Sequence, residues 1–303
     1  MTDHPSASCA IDVHRLSRTF RGVQALRDVN LQVPTGSVFG LVGLNGAGKT
    51  TLIRHLIGSL RALHGGVRVF GLDPVLDATS VLKRVGYLTE EDSLPKWMRV
   101  GEFIDFHRSI YPNWDDGYAR RLCEMFNLSS ATQLRSLSKG QRARVGLLVA
   151  IAHRPDLLIL DEPSSGLDPI ARSDILEAII RTISDEGRTV LFSSHLLDEV
   201  GRVCDTIALM HEGTICEMVD VPSLHDRYVE VICRSEPDNP LPPDWRSAFG
   251  WQLSGAEWSA VVERENSRSE SEPDDLHVID RRPVSLDRWF AARTRSPSTA
   301  VTP

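Results

Sequence analysis

The chain has 303 residues, 41% of them hydrophobic and 25% charged, with a net charge of −7 and five scattered cysteines. This composition provides enough apolar surface for a core, which excludes a mostly disordered chain. The negative net charge argues against a protein that coats nucleic acid. The few, scattered cysteines favour a reducing, cytosolic setting over a disulfide scaffold. At about 150 residues per domain, the length predicts two domains or one large domain with an appendage.

From residue 11 to 221, short buried-strand patterns alternate with longer helical patterns. Antiparallel strands come first, at 11–20 and 29–33. Buried strands are predicted at 38–42, 157–160, 189–193 and 207–211. Helices are predicted at 50–57, 100–109, 115–126, 139–152 and 171–184. Buried strands separated by helices are typical of an α/β fold with a mostly parallel sheet.

Beyond residue 221 the composition shifts, with four prolines in 237–243 and a Ser, Glu and Asp-rich stretch at 265–275. Strands are predicted at 228–233, 258–263 and 277–280, and a short helix at 286–293. The pattern indicates a small α+β accessory domain over 222–303, with a flexible acidic loop and a frayed end at 296–303. A regulatory, dimer-contact or purely structural role is open for it.

The strongest local signal matches G-x-x-x-x-G-K-[ST] and lies between a predicted strand and a predicted helix, as a phosphate-binding loop must. Its glycines let backbone N–H groups face a polyphosphate, the lysine reaches the β and γ oxygens, and the threonine hydroxyl faces Mg²⁺. A glycine-rich turn with a chance lysine is the alternative. The predicted nucleotide-binding residues here are Gly43, Leu44, Asn45, Gly46, Ala47, Gly48, Lys49, Thr50 and Thr51.

A second signal is an apolar strand that ends in Asp161 and Glu162. Acids at the carboxyl end of a buried strand lie at the sheet edge where α/β proteins bind ligands. Asp161 is predicted to hold Mg²⁺, directly or through water, and Glu162 to polarise the attacking water. The alternative is an acid pair at the start of the next helix. The phosphate loop favours the functional interpretation.

Together with three further motifs, these signals resemble the ATP-binding subunit of an ABC transporter. The run Leu-Ser-Lys-Gly-Gln at 137–141 resembles the LSGGQ signature, 165–168 the D-loop, and 193–195 the switch-histidine segment. Their order and spacing match the family across roughly residues 11–220. The run at 111–115 and the single-domain length are similar to bacterial exporter subunits of the multidrug or antibiotic type.

The resemblance implies a P-loop ATPase core over 11–221, with an antiparallel N-terminal β-subdomain and a helical signature subdomain at about 90–155. It implies ATP and Mg²⁺ as cofactors and hydrolysis that drives export. Two cassettes, identical or paralogous, would dimerise head to tail around two ATP. A separate membrane-spanning permease would dock near 90–98 and hold the chain on the cytoplasmic face of the membrane; no nucleic-acid partner is expected.

The resemblance also assigns roles to single residues. Phe20 would stack on adenine, unless it is a core residue at a strand end. His195 would hydrogen-bond the γ-phosphate and hold the attacking water, unless it is structural. Asp168 would work across the dimer interface. The signature residues, which would face ATP on the opposite subunit, are Ser138, Lys139, Gly140 and Gln141. Ser138 can cap its own helix at the same time.

Two residues depart from the family pattern. Lys139 stands where the signature has glycine, and it adds positive charge near the opposing phosphates. Glu90 stands where the Q-loop has glutamine; it can still coordinate Mg²⁺, although Glu91 could be the relevant residue instead. The predicted metal ligands are therefore Thr50, Glu90 and Asp161.

The rival function is a soluble ABC-type ATPase that acts as a regulator or assembly factor without transport. Soluble relatives of the ribosome-acting kind usually carry two cassettes, and DNA-repair relatives carry a long coiled-coil insertion; this chain has one uninterrupted cassette. A small-molecule kinase would lack the signature at 137–141 and His195. The resemblance implies that the contacts with the substrate belong to the permease.

Overall fold

A computed structural model describes residues 9–90, 93–234, 242–243, 245, 247–264 and 277–294. The chain divides into two compact units, Met1–Met218 and Val219–Pro303. Among the described residues, the helices are all too short or too polar to cross a membrane. The predicted acidic loop and frayed end, and most of the proline-rich stretch, lie outside the described residues.

Strands and helices alternate through residues 9–220. The strands are β1 Cys9–Phe20, β2 Val23–Pro34, β3 Val38–Val42, β4 His64–Val69, β5 Val85–Leu88, β6 Leu157–Asp161, β7 Thr189–Ser194, β8 Thr206–His211 and β9 Thr214–Asp220. The helices are α1 Lys49–Leu56, α2 Ala78–Leu82, α3 Val100–Ile110, α4 Asp116–Met125, α5 Lys139–Ile151, α6 Pro169–Glu186 and α7 Leu197–Val203, with a 3₁₀ turn at Leu134–Ser136.

The main sheet has six strands in the order β5-β6-β7-β3-β8-β9, and the pairs from β5 to β8 are parallel. Every residue of β3, β6 and β7 is buried, as expected for strands covered on both faces. The prediction of a mostly parallel α/β sheet is confirmed. Because β3, β7 and β6 are neighbours, the loops that follow them meet at one edge of the sheet.

A second, antiparallel sheet has the order β2-β1-β4, which confirms the predicted N-terminal β-subdomain. The strand expected at 29–33 is the end of a longer strand, since β2 begins at Val23 directly after the turn at Arg21 and Gly22. The sequence did not predict β4, because its run His-Gly-Gly-Val-Arg-Val lacks the apolar alternation of a strand. Pairing with β1 stabilises it instead.

The ends of the predicted helices differ from those in the structure by two residues at most. Helix α6 begins at Pro169 rather than 171, because Asp168 Oδ1 accepts hydrogen bonds from the backbone N–H groups of Ile170 (3.0 Å) and Ala171 (2.9 Å). Proline suits the first helical position, where no intrahelical N–H bond is lost. Helix α7 was not predicted, since seven residues are too few to show helical periodicity.

The second unit contains β10 Tyr228–Arg234, β11 Ala248–Ser254, β12 Glu257–Glu263 and β13 Val278–Pro283, with helices α8 Leu224–Arg227 and α9 Leu286–Thr294. Its antiparallel sheet has the order β11-β12-β10-β13. One cluster of its core contains Val231, Cys233 and Ala260, and helix α9 packs against β11 and β12. The predicted α+β character is confirmed. Strand β11 was not predicted, because its residues are only half-buried and show no clear alternation.

Candidate functional site

The phosphate-loop sequence forms a tight loop between β3 and α1. Gly48 is the N-cap of α1 with φ of +109°, a conformation that glycine alone adopts without strain. A Cβ at Gly48 would also lie 2.6 Å from the carbonyl oxygen of Ala25. The loop is thus pressed against β2, and its geometry requires the glycine that the pattern specifies.

The Lys49 side chain turns back into this loop. Its ammonium donates hydrogen bonds to the carbonyl oxygens of Gly43 (2.5 Å) and Leu44 (3.4 Å). It also lies 3.0 Å from Glu162 Oε1, and both side chains are only 5% exposed. An ion pair this deeply buried is costly to desolvate and is weak evidence for stability, so its place at the sheet edge points to function.

Asp161 is buried at the end of β6 and faces Thr50. Its Oδ1 accepts hydrogen bonds from the Thr50 hydroxyl (3.3 Å) and the Ser193 hydroxyl (2.8 Å). Its Oδ2 is buried without a hydrogen-bond partner among the described groups. Burial raises the pKa of Asp161, and the charges of Glu162 and Glu90 add to the rise. Such a carboxylate, beside a hydroxyl, is suited to bind a divalent cation.

Glu162 is the centre of the site. The backbone of Glu162 has a φ of +49°, which is uncommon for a non-glycine residue. Such conformations cluster at active sites. Oε1 faces Lys49, while Oε2 lies 2.7 Å from His195 Nδ1 and accepts a hydrogen bond from the His195 backbone N–H (3.3 Å). The structure therefore joins three predicted residues, from the loops after β3, β6 and β7.

Phe20 lies at the tip of the β1–β2 hairpin, paired with Val23. The residue is 38% exposed, which argues against the alternative of a core phenylalanine. The Arg18 guanidinium lies over the ring, 4.6 Å from its centroid. Strand β2 continues from this tip to Ala25, whose carbonyl touches the phosphate loop at Gly48. The hairpin thus connects an accessible aromatic ring to the phosphate loop.

The signature residues start α5. Ser138 Oγ accepts from the Gln141 backbone N–H (3.2 Å), and Gln141 Oε1 accepts from the Ser138 N–H (2.9 Å), which forms a capping box. Gly140 is buried, and a Cβ there would lie 2.7 Å from the Ala171 Cβ. Ser138 and Lys139 are exposed. The N-terminus of α5 is therefore capped by its own side chains, and it exposes Ser138 and Lys139 to solvent.

The predicted D-loop and Q-loop residues are held by other contacts. The backbone N–H groups of Ala171 and Ile170 lower the pKa of Asp168, whose carboxylate caps α6. Glu90 Oε1 accepts a hydrogen bond from the Ser165 hydroxyl at 3.1 Å. The Lys139 ammonium lies against Gly166, in the same loop. Both departures from the family pattern thus contact the loop that follows Glu162.

Two groups at the site were not predicted. Ser193 was noted only as part of a motif, yet its hydroxyl binds Asp161; a polar residue near the end of a buried strand is the signal that could have shown it. Glu199 is 4% exposed, and its Oε2 accepts a hydrogen bond of 2.5 Å from Ser164. No local pattern marks that contact, because the two residues are far apart in sequence.

Comparison with known proteins gives a consistent result. The family "ABC transporter" matches residues 26–165. The ABC transporter ATP-binding protein YtrB of Bacillus subtilis (strain 168) is 26% identical over 285 residues, covering 93% of this chain and 97% of that protein. The bacitracin transport ATP-binding protein BcrA of Enterococcus faecalis is 31% identical over 219 residues, covering 72% and 71%. A solved ATP-binding subunit of an ABC transporter superposes with a TM-score of 0.65 at 27% identity, covering 72% of this chain and 92% of that one.

Proposed function

The chain belongs to the ABC transporter ATP-binding proteins, subunits of the type paired with membrane permeases, and from this premise we propose that it binds ATP and hydrolyses it to drive export. The observation that carries the proposal is the buried contact between Lys49 and Glu162. It places the lysine of the phosphate loop beside the carboxylate proposed to activate water. Hydrolysis requires the lysine that binds the phosphates and the carboxylate that activates water to lie side by side.

ATP binding would use the loop from Gly43 to Thr51. The Lys49 ammonium, now on two loop carbonyls and Glu162, would bind the β and γ oxygens of the polyphosphate instead. The N-terminus of α1 favours the same negative charge. The exposed ring of Phe20 supports stacking with adenine on the face that Arg18 leaves open.

The residues around Asp161 fit a magnesium ion. The buried Asp161 Oδ2 lacks a hydrogen-bond partner within the described part of the chain, and the Thr50 hydroxyl is 3.3 Å from Oδ1. Magnesium prefers oxygen ligands and keeps several waters, so two protein oxygens, with Glu90 as a third candidate, form a reasonable set. When bound, the ion would neutralise charge on the phosphates.

Glu162 is the proposed general base. Once Lys49 turns to the phosphates, Oε1 is able to accept a hydrogen bond from the attacking water. His195 holds Oε2 through its ring and its backbone N–H, so the carboxylate keeps its direction. The His195 side chain is 35% exposed and would also reach the γ-phosphate. The strained backbone at Glu162 supports this role, because such strain clusters at active sites.

The signature residues would complete the site of a second chain. Ser138 and Lys139 are exposed at the start of α5, where backbone N–H groups and a positive charge favour an anion. A head-to-tail dimer, of two copies or with a paralogous subunit, would place them on the γ-phosphate of ATP bound to the partner. Gly140 and Gln141 would shape this surface, and Asp168 would act across the interface.

A membrane-spanning permease is the proposed second partner, with the chain on the cytoplasmic face of the membrane. In the proposed docking segment, Trp97 is 76% exposed, and Phe106 and Ile110 of α3 are about half exposed. These exposed apolar side chains are the proposed contacts with the permease. The similarity to a bacitracin transport ATP-binding protein supports a role in transport. The chain should sediment with membranes only when its permease is present; sedimentation without the permease contradicts the proposed docking.

Glu162→Gln tests hydrolysis separately from binding. The amide keeps the shape of the side chain but cannot take a proton, so turnover should fall by a factor on the order of 10² or more. A fluorescent ATP analogue with Mg²⁺ should still bind, and the ATP-bound dimer should persist on a sizing column. Glu177→Gln, which removes an exposed acid from α6, is the matched control and should hydrolyse ATP normally. Near-normal turnover of Glu162→Gln excludes this residue as the base.

A further inference from the structure

Glu199 is a buried acid that the proposed hydrolysis does not use. It lies on α7, with 4% of its surface exposed; its Oε2 has a hydrogen-bond partner and its Oε1 an ion-pair partner in the polypeptide that follows β6. Oε2 accepts a hydrogen bond from the buried Ser164 hydroxyl at 2.5 Å. Oε1 lies 3.3 Å from Nε of Arg172, in the first turn of α6. The two partners flank the loop that contains Asp168.

The same loop is attached to the segment after β7 at a second point. Glu162 contacts His195 through its Oε2, and two residues later Ser164 contacts Glu199, which is four residues beyond His195. Two contacts between the same pair of segments fix both position and direction, whereas one contact leaves a hinge. His195, Glu199, Glu162 and Ser164 therefore form one connected group.

Helix α7 itself is firmly held, which makes it a suitable support for the loop. It packs against β3 and β7, and its Val200 is fully buried. Val200 Cγ1 would lie 2.6 Å from a Cβ placed at Gly40 of β3, so the helix sits as close to the sheet as the backbone allows. Helix α7 therefore gives Glu199 a fixed position, from which its side chain reaches Ser164 and Arg172 at the two ends of the loop.

We propose that Glu199 is a positioning residue that fixes the loop carrying Asp168 to the segment carrying His195. The proposal rests on the proposed function, since its consequence is that the loop expected to reach the second chain keeps its position relative to His195, the residue expected to reach the γ-phosphate. Glu199 contacts no substrate in this role. Its negative charge holds Arg172, and its second oxygen holds Ser164, so both ends of the loop depend on one side chain.

Two conservative variants remove the two contacts separately. Ser164→Ala deletes the hydroxyl and leaves the Arg172 pair in place. Glu199→Gln keeps an oxygen for Ser164 but removes the charge that holds Arg172. Asp198→Asn is the matched control, because it makes the same change of charge at an exposed position of the same helix. Each full-length variant is measured for ATP-analogue affinity, kcat and KM, thermal unfolding and amide hydrogen exchange.

A positioning role predicts a specific combination of effects. In both variants kcat should fall about fivefold or more, while ATP-analogue affinity stays within about twofold of wild type, because the phosphate loop is untouched. Hydrogen exchange should rise in 164–168 but not in 49–56. Asp198→Asn should match wild type in every measurement. A merely structural residue would instead lower the unfolding temperature and change affinity and kcat together.

Three results overturn the proposal: unchanged exchange in 164–168, a kcat within twofold of wild type in folded variants, or a parallel loss of affinity and turnover. If Glu199→Gln fails to fold, Ser164→Ala decides alone. Failure of the proposed function is recognised separately, since it shows as absent Mg²⁺-dependent ATP hydrolysis in the wild type. In that case the exchange of 164–168 in Ser164→Ala still decides whether Glu199 positions the loop.

Discussion

Buried charge is used differently in the two units of this chain. In the first unit Lys49, Asp161 and Glu162 lie at the carboxyl ends of β3 and β6, the strands on either side of β7, and Lys49 contacts Glu162. In the second unit the 10%-exposed Arg288 binds Glu230 at 2.8 Å and the carbonyl oxygens of Gly250 (2.8 Å) and Ser259 (3.0 Å). Its partners belong to the strands of the sheet on which α9 packs.

The charged groups of the first unit form an arrangement suited to chemistry, whereas those of the second unit hold the sheet and its helix together. Glu162 has a strained backbone, and one buried oxygen of Asp161 lacks a hydrogen-bond partner within the described part of the chain, so both are poised to change partners. Arg288 instead joins three strands, through the Glu230 carboxylate and the backbone carbonyls of Gly250 and Ser259, whose positions are set by the sheet. Changes in the first unit should therefore alter chemistry, and changes in the second should alter stability.

Trp289→Ala is expected to have the largest effect of the changes that test this comparison. Trp289 is fully buried beside Tyr228, with ring centroids 6.4 Å apart. Its removal should lower the free energy of unfolding of the second unit by about 3–5 kcal/mol, through lost burial and a cavity. The candidate site residues all lie in the first unit, so affinity for an ATP analogue should not change.

Thermal unfolding and analogue titration measure the two effects in one preparation. Trp97→Ala, which truncates an exposed tryptophan of the first unit, is the control and should leave both values near those of wild type. A drop in nucleotide affinity for Trp289→Ala, at a temperature where the first unit is folded, would show that the two units do not divide chemistry from stability.

The sequence predicted the parts of the fold that local patterns encode. Continuous apolar runs gave β3, β6 and β7, and the glycine pattern of the phosphate loop gave the start of α1 to within one residue. Strand β4, with two glycines, and the short helix α7 carry no clear periodicity, so pairing and packing with distant residues decide them.

The same limit applies to the candidate site. The types of residue needed for phosphate and metal chemistry could be read from motifs, and the structure brings Lys49, Glu162 and His195 into contact. The contacts between individual atoms could not be predicted from the motifs. Lys49 and Glu162 are far apart in sequence, and only the order of the strands in the sheet brings them together. The contact of Ser164 with Glu199 follows from the packing of α7, which no motif specifies.

A smaller effect is expected at His153, a buried polar residue of the first unit that stacks on Tyr111 with ring centroids 3.8 Å apart. Burial lowers the pKa of His153 to about 4. An unfolded chain protonates this ring below about pH 6.5, while the folded chain does so only near its lower pKa, so acid favours unfolding. Stability should therefore fall between about pH 6.5 and pH 4, with a loss of about 2 kcal/mol at pH 5.

His153→Asn should remove this part of the pH dependence. The free energy of unfolding is measured by denaturant titration at pH 7.5 and pH 5 for both proteins, and the value at pH 7.5 serves as the reference for any packing loss. The difference between the two pH values should be about 2 kcal/mol smaller in the variant. Equal differences in the two proteins would mean that His153 is protonated to the same extent when folded and unfolded.

The last test asks whether the first unit forms its reactive arrangement alone or with a second chain. In a homodimer each site would take Lys49 from one chain and Ser138 from the other. Lys49→Ala removes the charge that binds the phosphates, and Ser138→Arg fills the exposed start of α5 with a bulky side chain. Either homodimer should therefore be nearly inactive.

The heterodimer of the two variants has one site with both substitutions and one site with neither. Equal mixing gives about half heterodimers, so about a quarter of wild-type ATP hydrolysis should return, or less if the two sites act cooperatively. Differently tagged chains verify that the heterodimer forms; if it forms without any recovery, the site is built within one chain or needs a different partner.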